Sequence, residues 1–233
     1  EVQDRLLLAA GNGIIGDDLM LEHLHPNLEG YFLLADAFYD ALLESALLPA
    51  GRDIGDDVAR QEIPLSDGER WFARYKLQRL LRNWPFTDTP GPVALPAAGS
   101  VPEELAQSLY RQETNWLNMQ QRLKTWYRGR GNTTEYRRVA TILADAFPFV
   151  ESAQLEAGSL LVAQGRPLDA LRYLHRAARY AGDRPAPALL ELAGAYAAAG
   201  YSDQARQVLE QLLAREPGNA AAQKRLRALG QSD

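Results

Sequence analysis

The sequence predicts a mostly α-helical chain that ends in a stack of helical hairpins. Three observations carry this expectation. Equivalent residues return about every 34 positions from Leu117 onward. Apolar residues recur at helical spacing in the N-terminal part, and two Ser-x-x-Glu pairs stand immediately ahead of further helical runs. At 233 residues, 46% hydrophobic and 24% charged, the chain has the composition of an ordinary globular protein, long enough to bury one large or two small cores. No run approaches the roughly 18 apolar residues a membrane span needs. The absence of cysteine excludes disulfides and thiolate metal sites.

The first element follows the block Leu21-Glu22-His23-Leu24-His25-Pro26-Asn27 and Gly30-Tyr31. From Leu28 to Leu48 the residues Leu28, Tyr31, Phe32, Ala35, Phe38, Tyr39, Leu42 and Leu43 mark a helix with one buried face, stopped by Pro49-Ala50-Gly51. Ser66-Asp67-Gly68-Glu69 then reads as a capping box, opening a second helix through Trp71, Tyr75, Leu77, Leu80 and Leu81 that ends before Pro85. Pro85, Pro90, Pro92, Pro96 and Pro102 make the next stretch an extended connector or a strap, because proline fixes φ and removes a donor. Ser100-Val101-Pro102-Glu103 restarts helix with a second serine and glutamate pair. Trp71, Tyr75, Trp84 and Trp116 read as core or interface residues. Asn132 reads as an N-cap rather than a glycosylation site.

Windows beginning at Leu117, Glu151, Ala186 and Ala220 align. Their seventh position holds Leu123, Ala157, Leu192 and Leu226; their eleventh holds Tyr127, Leu161 and Tyr196. The fifteenth is Gly131, Gly165 and Gly200, where the chain must turn between helices, and the twentieth is Tyr136, Ala170 and Ala205. Later columns hold Ala140, Leu174 and Leu209, then Leu143, Ala177 and Leu212, with Pro148 and Pro217 closing two units. This pattern resembles tetratricopeptide repeats, most fully over 186–219. In the first window Tyr136 replaces the usual alanine and Lys124 the usual small residue; the Ala220–Leu229 helix reads as a terminal cap.

The resemblance implies a concave face lined by the first helix of each pair. Its positions here are Asn118, Gln121, Thr125 and Arg128, then Ser152, Leu155, Ser159 and Val162, then Pro187, Leu190, Gly194 and Ala197. Only Arg128 among them is charged, so the cationic cluster that grips a peptide's terminal carboxylate is missing. A groove of this kind suits an apolar strap of the same protein or a second copy, with an external peptide or protein as the alternative.

The early histidine block resembles the last block of SGNH (GDSL-type) hydrolases, Asp-x-x-His-Pro-Asn followed by Gly-Tyr. The resemblance implies that His25 is a general base and Glu22 its orienting carboxylate, with glutamate standing where the family has aspartate. It also implies an α/β hydrolase domain of which residues 1–50 are the terminal piece. That domain's serine block has no counterpart here, since residues 1–20 hold no serine and Gly158-Ser159-Leu160 lacks the aspartate and falls in a repeat helix. The chain therefore reads as the C-terminal part of a longer protein, inactive by itself, whose first partner is the missing hydrolase region. Two other readings of the histidines stand beside this one: a His23/His25 metal pair with Asp17, Asp18 or Glu22, and a helix-capping His25. No cofactor is implied.

The expected organisation is 1–50, hydrolase-like piece; 51–102, helical and proline-rich linker; 103–233, tetratricopeptide-like repeats. Residues 1–68 carry 14 acids against 3 bases, and the remainder 16 acids against 22 bases. Solvated helix faces account for much of this asymmetry, and a pI near 5.3 argues against nucleic acid as a partner. Cytoplasmic and periplasmic locations fit the composition equally.

Overall fold

The computed structural model describes residues 2–47 and 54–230, and its contacts divide the chain into two compact units, Glu1–Ile63 and Pro64–Asp233. Among the described residues there are helices and no strands, the nearest approach to a sheet being an isolated antiparallel bridge between Met20 and Pro26. The mostly α expectation is met. The α/β character expected of the first fifty residues is not supported.

The first unit contains α1 (Val2–Ala9), α2 (Leu28–Glu44) and α3 (Asp56–Gln61). Helix α2 starts as predicted, but it stops at Glu44. Ala46 adopts the left-handed conformation (φ 54°), its N–H donates to Leu43 O, and the Leu47 N–H donates to Leu42 O. This is a Schellman turn with alanine in the usual glycine place. The stop expected at Pro49-Ala50-Gly51, like Leu48, lies outside the described residues.

Of the face expected to be buried on α2, Leu28, Phe32 and Leu43 are half-buried and the rest is exposed. Tyr31, Ala35, Phe38, Tyr39 and Leu42 are all exposed, Phe38 to 63%, and lie along one side of the helix at three- and four-residue spacing. Three of the four acids of α2 pair within its own unit. Asp36 and Asp40 pair with Arg5 of α1, while Glu29 pairs with Arg60 of α3, whose guanidinium stacks on Phe32 at 4.2 Å from the ring centroid. Ala10 and Leu19 are the buried apolar side chains among the described residues of this unit. Ion pairing and local loop bonds hold the unit, in place of an apolar core.

The second unit holds α4 (Asp67–Leu81), α5 (Val101–Tyr110), α6 (Trp116–Gly129), α7 (Thr133–Ala146), α8 (Glu151–Ala163), α9 (Pro167–Tyr180), α10 (Ala186–Ala198), α11 (Ser202–Arg215) and α12 (Ala220–Leu229). Each expected cap forms: Ser66 and Glu69 complete a reciprocal capping box, and Ser100 and Asn132 accept N–H bonds from Glu103 and Glu135. Glu103 departs from the box pattern. One of its buried carboxylate oxygens accepts from Gly99 N at 2.7 Å and the other from Tyr75 OH at 2.9 Å. Gln107 donates to Tyr75 OH and to Pro96 O, so the proline-rich segment is a strap clamped to the α4/α5 hairpin. Of the four aromatics expected inside, Tyr75 is buried and Trp71 and Trp116 are half-buried, whereas Trp84 is 79% exposed. Trp84 sits past the end of α4, where no second helix covers it.

The repeat columns form the core. Leu123, Ala157, Ala170, Leu174, Ala177, Leu209 and Leu212 are buried, with Leu143 and Ala140 beside them. At each fifteenth position a left-handed glycine ends the first helix of a pair: Gly131 (φ 67°), Gly165 (φ 72°) and Gly200 (φ 83°). In all three turns the residue after the glycine donates back to the eleventh-column carbonyl of Tyr127, Leu161 or Tyr196. Gly158 is needed for another reason, since a β-carbon there would sit 2.5 Å from Leu174 where α8 crosses α9.

Candidate functional site

Two places in the chain gather polar side chains in a form that points to function. The first is the loop from Leu19 to Gly30. Leu21 N donates to His25 O and Asn27 N to Leu19 O, which closes the loop around the Met20–Pro26 bridge. The Asn27 side chain caps α2 through Gly30 N at 3.0 Å and donates to the carbonyls of Asp17 and Asp18. Gly30 lies so close to the loop that a β-carbon would come within 2.3 Å of Leu19 O and 2.9 Å of Pro26 Cβ. Proline, asparagine and glycine thus each hold the loop that presents His25.

That loop folds around Glu22. Its carboxylate accepts from the backbone N–H groups of Leu24 (3.0 Å) and His25 (3.1 Å), and its Oε1 lies against Nδ1 of His25. His23 Nδ1 is 2.9 Å from the other oxygen. The hydrogen bond from His25, then that from Leu24, holds the Glu22 carboxyl below the ordinary glutamate range against the opposing pull of desolvation. The Glu22 side chain is 5% exposed and the His25 ring 62% exposed. A carboxylate on Nδ1 favours the tautomer with the proton there and leaves Nε2 as the basic nitrogen. Glutamate's extra methylene does not prevent this pairing. Of the alternative readings, the metal pair has Glu22 beside both histidines, but among the described residues no group of three such side chains is placed to hold a metal ion. The helix-capping role falls to Asn27.

The second place is the exposed side of α6 and α8. Asn118, Gln121 and Thr125 line a groove of about 720 Å³ with Val101, Leu105, Thr114, Arg122 and Trp126. Gln121 is shared with an adjoining groove of about 760 Å³ that also takes in Leu117, Phe147, Val150, Ser152 and Leu155. The proline strap lines neither. Other expected face residues are engaged by the stack itself. Ser159 donates to Glu191 of α10 at 3.2 Å, and Leu155, Val162 and Leu190 pack partly into the apolar core. Pro187 and Ala197 are exposed, and Gly194 lies 3.2 Å, by its missing β-carbon, from an Arg225 guanidinium nitrogen that donates to Leu190 O.

Both departures from the repeat pattern converge on one acid. Lys124 pairs with Oε2 of Glu156, and Tyr136 OH donates to Oε1 at 2.6 Å. Desolvation and the bond to Glu156 raise the Tyr136 pKa; a hydrogen bond with Arg128 opposes that rise. The face therefore has members that the column numbering did not supply: Arg122, Lys124, Trp126 and Glu156. The mismatch of Lys124 and Tyr136 with their columns was the available signal for two positions in this region.

The tetratricopeptide repeat pattern matches residues 161–229, from the end of α8 through α12. No curated protein matches the chain. No helix among the described residues is long and apolar enough to cross a membrane.

Proposed function

We propose that this chain is a protein-interaction scaffold that binds a partner polypeptide along the exposed side of α6 and α8. The observation that carries this reading is the pair of adjoining grooves lined by residues 101–156, in the unit whose later helices match tetratricopeptide repeats over 161–229. Amide and hydroxyl groups rim them and apolar side chains floor them, the division of labour of a peptide site. A random octapeptide display library is expected to enrich binders on the full chain, and Gln121→Glu, which sets a carboxylate at an exposed groove position, to remove the enrichment. Absence of enrichment on the native chain would refute the reading.

The finer proposal concerns the first unit, taken as the terminal piece of an SGNH-type ester hydrolase. Glu22 would orient His25, and His25 would act as base toward a serine supplied by the rest of that domain. The Glu22–His25 contact supports it, as do the roles of Asn27 and Gly30 in holding the loop. The outward apolar stripe of α2 supports it too, because an α/β core would cover that stripe. Ser45 is the one serine in residues 1–63, and it lies a whole helix away from His25, about 27 Å at 1.5 Å per residue. The chain is therefore expected to hydrolyse p-nitrophenyl acetate no faster than its His25→Ala variant. Turnover that the substitution abolishes would overturn this.

A further inference from the structure

The charge balance of α6 specifies what its groove takes. The helix contains no acid and three bases, Arg122, Lys124 and Arg128. Lys124 is neutralised by Glu156. Arg128 meets the Tyr136 hydroxyl and forms no ion pair among the described residues. Arg122 lines the first groove, is exposed, and forms no ion pair among the described residues. Beside it the groove offers apolar walls in Val101, Leu105 and Trp126.

Arg122 and Arg128 are six residues apart, about 9 Å along the axis, roughly the span of three residues of an extended chain. Asn118, Gln121 and Thr125 stand beside or between them on the same exposed side, with donors and acceptors suited to a main chain. A guanidinium offers a carboxylate a planar fork of N–H donors, which a neutral or basic ligand would leave unused. With the chain as a whole at −5, Lys124 already paired and Arg130 stacked on Trp126, a phosphate backbone finds no extended basic track on this face.

We infer that this groove selects an extended acidic peptide, one apolar side chain of which enters beside Val101, Leu105 and Trp126 while an aspartate or glutamate pairs with Arg122. The inference deepens the scaffold reading and rests on it. Arg122 was outside the face positions derived from the repeat numbering, and the tertiary arrangement brings it in.

The test uses the full chain and three fluorescein-labelled octapeptides of alternating polar and leucine residues, the polar ones being aspartate, asparagine or lysine. Fluorescence anisotropy at physiological salt is expected to show the aspartate peptide bound about tenfold more tightly than the asparagine peptide, the gain of one charge-assisted pair. Arg122→Gln is expected to erase that difference, with the circular dichroism spectrum and unfolding midpoint of the variant reporting that it is folded. Equal affinity for all three peptides, or preference for the lysine peptide, would overturn the acidic specificity and leave the scaffold reading standing. An aspartate preference that survives Arg122→Gln would overturn the assignment to this groove. Failure of the native chain to bind any of the three would overturn both readings.

Discussion

At the residue scale, the histidine loop shows how few groups are needed to fix an imidazole. Glu22 is oriented by two backbone N–H groups before it meets His25, so the ring is held by a carboxylate that is itself held. The conformation is paid for at Gly30, the point where α2 touches the loop. Gly30→Ala places a methyl group 2.3 Å from Leu19 O, a backbone atom that cannot swing aside. The expected result is a displaced loop, destabilised by about 1–3 kcal/mol. Amide hydrogen exchange checks it: Leu21, His25 and Asn27 lose protection in the variant, whereas unchanged protection would show that the loop accommodates the methyl group. The sequence made Glu22, His25, Asn27 and Gly30 legible as one block because their spacing is local. It could not make Arg122 or Glu156 legible, because the partners of Glu156 and the groove wall beside Arg122 lie on other helices.

At the element scale, the repeated columns translate directly into helix ends and helix crossings. Glycine closes α6, α8 and α10 with the same turn, and each turn uses the same eleventh-column carbonyl. Helices α6, α8, α10 and α12 are then tied to one another by polar links: Lys124 to Glu156, Ser159 to Glu191, and Arg225 to Leu190 O. These links explain why the first repeat tolerates lysine and tyrosine in columns that usually hold small residues. The two long side chains leave the helix crossing and share an acid on the next repeat. Where no such exit exists the column is strict. Gly158→Ala would drive a β-carbon to 2.5 Å from Leu174 and is expected to destabilise the second unit by about 1–3 kcal/mol. Gly194→Ala meets only the end of a flexible arginine, so the gain in helix propensity offsets it. Urea denaturation followed by circular dichroism distinguishes them, with the midpoint falling for the first and holding or rising for the second.

At the scale of the whole molecule, the two units are stabilised in different ways. The second buries two clusters of apolar side chains, one around Leu123 and Tyr127 and one running from Ala144 to Ala222. The first buries Ala10 and Leu19 among its described residues and turns the apolar stripe of α2 outward. A periodic pattern determines that a helix is amphipathic, and the sequence by itself determined that much for α2, along with the helix caps, the glycine turns and the repeat period. These are local properties, set by backbone geometry and by hydrogen bonds between near neighbours. Which way the amphipathic face points, where the boundary between units falls, and which charges remain unpaired were decided only by the tertiary structure. Pairing and burial depend on residues distant in the chain: Arg5 and Arg60 engage Glu29, Asp36 and Asp40 of α2, and Glu156 neutralises Lys124 while Arg122 forms no ion pair among the described residues.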